Sequence, residues 1–275
     1  MYSYSSWKNY WEGSLKRSNE NLGTVSTQVI SVMGNYGVSS KLNLLFNVPY
    51  VSTKASAGTL HGMKGVQDLN LFVKWMPLET EMLGGVFSLY GIGGISFPIT
   101  DYVADFLPLS IGMRSKTASA RLMADYQTGS LFLTASATYV IRGNIKIDRT
   151  SYYTTQMHST NEVEMPNGAN YNIRTGFRNE RWIAEGVLNI WNTLGGFDIT
   201  RNNMPFPSNK MNATTIGANI KYVLPVKREI SLVAGGNTTV SGRNMGQSTT
   251  VYGSIFYVFN FSKKVKTTDQ PVNSK

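Results

Sequence analysis

Cysteine is absent from all 275 residues. Disulfide frameworks, thiolate zinc sites and thiol catalysis are therefore excluded. Charge is scarce: Asp, Glu, Lys and Arg together make up 15% of the chain, too little for a segment held open by self-repulsion. Long apolar runs are missing as well. The nearest, Tyr90 to Met113, is interrupted by Pro98, Asp101, Asp105 and Pro108, and nothing approaches the ~18 uninterrupted apolar residues of a membrane-spanning helix. Histidine occurs only twice, at His61 and His158. A triad can be forced from His158, Ser159 and either Asp148 or Glu162, but no motif spacing supports it, so no enzyme is expected. Asp148, Glu164 and Asp198 lack the ordered run of a calcium loop. Gly91-Ile92-Gly93-Gly94 lacks the strand-to-helix context and the lysine of a phosphate loop. No metal and no cofactor are expected.

What the chain does have is alternation. Val251, Gly253, Ile255, Tyr257, Phe259 and Phe261 recur at period two, with Thr250, Tyr252, Ser254, Phe256, Val258 and Asn260 between them. The same rhythm is clear at Leu42, Leu44, Phe46, Val48 and Tyr50 against Asn43 and Asn47. It recurs from Leu69 to Trp75, Ala118 to Tyr126, Leu131 to Ile141, Tyr171 to Phe177, Trp182 to Ile190 and Ile216 to Leu224. Period two is the signature of a strand with one apolar face. Gly84 to Pro98 is apolar on both faces, and its register stays open. Twelve strands are expected, the first over Met1 to Trp11 and the last over Ser248 to Phe261.

The connections alternate between long and short. Gly37–Ser40, Pro77–Glu81, Gln127–Ser130, Arg178–Arg181 and Pro225–Arg228 read as tight turns. The long ones are Glu12 to Leu22, Ser52 to Gly62, Ile99 to Arg114, Gly143 to Gly168 and Asn192 to Met211. Strands of about 9–11 residues joined in this way predict an all-β membrane fold. It is an up-and-down antiparallel barrel with short periplasmic turns and long extracellular loops. Residues 1–262 form the barrel, and 263–275 form a polar, basic tail without regular structure. A soluble barrel, apolar inside and polar outside, has the same alternation and is the competing architecture. The formal charge of +10 does not imply nucleic-acid binding, because the cations are dispersed rather than clustered. Met1-Tyr2-Ser3-Tyr4 is not a secretory signal, and a barrel must be exported, so the expected leader is one removed before residue 1.

One stretch carries a family resemblance. Tyr36-Gly37, Leu42-Asn43-Leu44, Asn47-Val48-Pro49-Tyr50-Val51 and Gly65-Val66-Gln67-Asp68-Leu69 are similar to segments of the outer-membrane barrels grouped with the MetA pathway of phenol degradation. Those barrels are related to FadL-type channels. Gln67 departs from the glycine usual there. The resemblance implies an outer-membrane channel or transporter for small, hydrophobic molecules. Tyr257, Phe259 and Phe261 resemble the closing signal read by the barrel-assembly machinery. Outer-membrane lipid, lipopolysaccharide and that machinery are the partners implied, with an envelope protein complex the partner of the alternative reading, a closed accessory barrel.

Two groups of residues are candidates for function. Asp68, Lys74, Arg121, Asp125, Arg142, Arg174, Glu185 and Lys221 fall on the polar face and would line the lumen. They form either a selective polar path or an ion-paired, closed interior. Phe106, Leu107, Leu109, Met204 and Phe206 lie in long loops that are unusually apolar. They either capture a hydrophobic substrate or fold inward as a lid.

Overall fold

The computed structural model describes residues 1–199 and 203–259. The far end of the last expected strand, at Asn260 and Phe261, and the tail read over 263–275 lie outside the described residues.

Twelve strands close into one antiparallel barrel. In chain order they are β1 (Tyr2–Trp7), β2 (Val25–Gly37), β3 (Leu42–Ala55), β4 (Asp68–Met82), β5 (Gly85–Pro98), β6 (Thr117–Thr128), β7 (Leu131–Arg142), β8 (Gly168–Arg178), β9 (Trp182–Thr193), β10 (Asn212–Val223), β11 (Ile230–Arg243) and β12 (Thr249–Tyr257). Each pairs with its sequence neighbours, and β1 closes the ring between β2 and β12. Closure leaves every strand a partner on both sides, which is the condition for crossing hydrocarbon with strands.

The alternation has a definite sense. Leu44, Phe46, Leu71, Val73, Leu122, Leu133, Ile173, Ile216 and Val251 are exposed on the outer face. Their neighbours Asn43, Asn47, Asn70, Asn172 and Asn219 point inward. Exposed aromatics edge the outer belt. Tyr50, Tyr139 and Tyr171 lie toward the long loops, and Tyr36, Phe177, Trp182 and Tyr257 toward the short turns. A belt apolar outside and polar inside reverses the pattern of a soluble barrel and matches a membrane one.

Two expected boundaries shift for a local reason, and a third comes earlier. The first strand leaves the wall at Trp7, not Trp11. Asn9–Glu12 folds onto Leu15–Ser18 as a separate hairpin, turned at Gly13, whose φ of +56° suits glycine. The expected turn at Pro77–Glu81 lies inside β4. Register slips between Trp75 and Leu78, so Pro77 sits at a bulge, where its missing N–H disrupts no ladder. The chain reverses instead at Leu83-Gly84, both with positive φ, as a two-residue hairpin requires. The last described strand ends at Tyr257.

The open register of Gly84 to Pro98 resolves through its glycines. Gly91 and Gly93 face out with Val73 and Ala120, whereas Gly94 faces in. A Cβ at Gly94 would lie 2.4 Å from the Phe72 ring, so the ring occupies space that only glycine leaves free.

Among the described residues, the clusters of buried apolar side chains lie at the long-loop end. Leu22, Val25 and Leu109 form one cluster with Trp7, Ala55, Leu60 and Phe106. Val51, Tyr102 and Ile111 form a second. Ala104, Ile145, Ile147, Tyr152, Val163, Met165 and Phe206 form a third. The loops therefore fold over the barrel mouth; they do not extend into solvent.

Candidate functional site: the lumen and its loop cap

All eight candidate lumen residues lie on the inward face, and most are held by specific partners. Asp68 stands at the long-loop end of β4 and accepts a 2.7 Å hydrogen bond from the Tyr102 hydroxyl. That hydroxyl in turn accepts the Arg114 backbone N–H at 2.8 Å. Burial, reinforced by Asp68, pushes the Tyr102 phenol well above its usual range. The loop is thus fixed to the wall by a phenol that stays protonated.

Deeper in the lumen, Asp125 is the most heavily engaged acid. Arg178 grips it through two hydrogen bonds of 3.0 and 3.2 Å, and Thr134 donates its hydroxyl to the same carboxylate. Two-point guanidinium–carboxylate bonding is among the strongest polar contacts a protein makes. Arg174 lies 4.0 Å from Glu185, which also accepts the Asn219 amide at 2.8 Å. The Tyr252 hydroxyl donates to Asn219, carrying the network across β9, β10 and β12. Arg121 donates to Thr138 at 2.8 Å. The remaining cations sit over rings: Lys74 over Tyr90 at 4.2 Å, Arg142 over Trp191 at 5.0 Å and Lys221 over Phe256 at 4.8 Å.

Arg178, Asn219 and Tyr252 are absent from the sequence-derived set. Arg178 is the instructive omission. It lies four residues beyond Arg174 on the same face. Extending the period of β8 by one step would have included it, but the dense polar run Arg178 to Arg181 reads as a turn.

The apolar loop residues do not form one patch. Leu109 is fully buried, and Phe106 packs beside it against Leu22 and Val25. Leu107 is half-buried. Phe206 is buried in the separate cluster, its ring 5.3 Å from Tyr152. Met204 is 46% exposed. Polar contacts pin these loops as well. Thr53 donates to the Leu109 carbonyl at 2.6 Å. Asn209 accepts the Phe206 N–H at 2.6 Å. Arg149 reaches Asp105 at 2.7 Å, joining two loops.

Asp198, weighed above as a calcium ligand, is occupied by an arginine. Arg243 bonds both its oxygens at 2.8 and 2.5 Å, and Asn244 adds a third bond at 2.7 Å. The Arg243 bonds, with that of Asn244, hold the Asp198 carboxyl below the usual carboxylate range. His158 is stacked on Tyr152 with ring centroids 4.7 Å apart and meets the Thr154 hydroxyl at 2.9 Å.

Comparison with known proteins places this geometry. An outer membrane channel from Pseudomonas putida F1 superposes with a TM-score of 0.68, covering 93% of this chain and 92% of its own at 12% identity. At that identity the likeness is one of fold. Pseudomonas aeruginosa OccK8 and the beta domain of the Bordetella autotransporter BrkA align over 90% and 94% of this chain, at 8% and 11% identity. These alignments cover 62% and 98% of those chains, each with a TM-score of 0.38, and carry no weight here. No curated protein matches. The family model described as putative MetA-pathway of phenol degradation matches residues 21–255, and the chain belongs to that family.

Proposed function

We propose that this barrel sits in the outer membrane and carries small, hydrophobic or amphipathic molecules through its lumen. The observation that supports this reading best is the pairing of a polar, charged lumen with an apolar cap at one mouth. A wholly structural barrel needs no such cap. In this reading the long loops are extracellular and the short turns periplasmic. Phe106, Leu107 and Leu109 in one loop and Met204 and Phe206 in another form two separate apolar parts of the cap, into which a hydrophobic solute partitions before entry. Burying a side chain of that size is worth about 1.5–3 kcal/mol, so a solute that replaces one such contact can open the lid at little net cost. The outer belt contacts outer-membrane lipid and lipopolysaccharide, and the aromatic end of β12 engages the barrel-assembly machinery during insertion.

Uptake of a hydrophobic solute into proteoliposomes tests the lid. Phe106→Ala and Phe206→Ala are expected to change apparent affinity by several-fold while leaving the barrel folded. Unchanged affinity in both variants removes these residues from solute capture.

A further inference from the structure

Four arginines descend the lumen wall at a regular interval, with β7 as the ruler. Arg142 lies on β7 itself. Arg121 of β6 stands opposite Thr138, and Arg174 of β8 stands opposite Thr134. Arg178 donates its backbone N–H to Ser130 at 2.7 Å. Positions 142, 138, 134 and 130 differ by four residues each, so the steps are about 13 Å apart along the strand at ~3.4 Å per residue. Strand tilt shortens the interval along the barrel axis. Lys74 extends the second step, because its partner Ile92 is itself opposite Arg121. Arg174, Asp125 and Arg178 are within electrostatic reach of Lys74, as Arg174 is of Arg121.

Acids neutralise this ladder unevenly. Asp125 pairs with Arg178, and Glu185 lies at the edge of contact with Arg174. Among the described residues no ion pair engages Arg142, Arg121 or Lys74. At the third step Arg174 Nε is buried without a hydrogen-bond partner, a state that costs free energy unless a solute or water fills it. The other inward acids of β4 fall above or below the first two steps. Asp68 is engaged by Tyr102 at the long-loop end, whereas Glu79, through Ser88 and Asp125, shares the third step, and Glu81 stands between the third and the fourth. The upper lumen therefore presents cations without an ion-pair partner, above a middle zone where the acids gather, and their fields overlap at a Debye length of about 8 Å once the reach of each side chain is counted. Low-dielectric walls concentrate such a field.

We infer that Arg142, Arg121, Lys74 and Arg174 form a stepwise path for small organic anions that ends at the Arg178–Asp125 pair, each guanidinium or ammonium receiving a carboxylate passed from the one above. This inference rests on the channel reading and narrows it: the solute has an apolar body that the cap admits and a carboxylate that the ladder conducts.

The test is reversal potential in planar bilayers under a potassium chloride gradient, with benzoate and benzylamine as probe solutes of opposite charge. The parent barrel is expected to prefer chloride several-fold and to be blocked by benzoate more than by benzylamine. Arg121→Gln combined with Lys74→Gln is expected to lose at least half of that preference, whereas Arg121→Lys retains it. Heat-modifiable migration in gels verifies that each variant is folded. If the double variant does not fold, the parent's selectivity and Arg121→Lys decide the matter. A parent that conducts without anion preference, or a folded double variant with unchanged selectivity, overturns the ladder and leaves the channel reading intact. A folded parent that never conducts overturns both.

Discussion

At the scale of single residues, the lumen is governed by how each charge is satisfied. An inward carboxylate in a narrow barrel must find partners, because an unpaired buried charge is costly. Asp125 finds two, which make three bonds, Arg178 twice and Thr134 once. Arg178 also lies 4.0 Å over the centre of the Phe132 ring, a second favourable contact for its charge. Asp125→Ala is expected to destabilise the barrel by about 1.5–3 kcal/mol, the range for hydrogen bonds to charged groups. Urea unfolding in lipid vesicles measures it. In a double-mutant cycle, Arg178→Ala on top of Asp125→Ala is expected to cost much less than the sum of the two. Simple additivity would show that the pair is not coupled.

At the scale of elements, the loops behave as a packed layer. The loop from Leu194 to Met211 is tied to the end of β11 through Asp198, Arg243 and Asn244. Asn244 also bonds the Gly13 N–H at 2.7 Å, so the hairpin after β1 shares the same knot. The folded Asp198 carboxyl titrates below its ordinary value of about 3.9. Its contribution is therefore complete above that value and is lost as pH falls through the lower, folded one. Limited proteolysis should show this loop protected at neutral pH and increasingly cleaved in strong acid. Asp198→Asn should abolish most of that pH dependence, and an unchanged profile in the variant would assign the transition to another group. The loops are also where sequence reading was weakest. Strands such as Leu42 to Tyr50 announce themselves, because one face meets an apolar surround and the other meets polar neighbours. Gly84 to Pro98 does not, because Gly91 and Gly93 leave gaps in its outer face and Gly94 makes room for Phe72 on the inner one. Leu109 and Phe206 carry no period at all. Their burial follows from where distant segments meet, such as Val25 with Leu109 and Tyr152 with Phe206.

At the scale of the whole molecule, the polarity of the two faces is decisive. Alternation alone fits a soluble barrel as well as a membrane one. The outward side of Leu44, Leu122 and Ile173, bounded by Tyr171 and Trp182, favours lipid outside and a polar path within. The candidate lumen charges were legible because strand period assigns them to a face. Their vertical order was not, because it depends on register between strands that sequence spacing does not reveal. Arg121 opposite Thr138 and Arg174 opposite Thr134 become a ladder only once the strands are paired. The account as a whole holds that the lumen is a route. Single-channel recording on the purified, folded barrel in planar bilayers tests that most directly. The account predicts discrete conductance steps that a hydrophobic carboxylate such as benzoate reduces in a concentration-dependent way. A folded, membrane-inserted barrel that stays electrically silent across applied voltages and salt concentrations would contradict it.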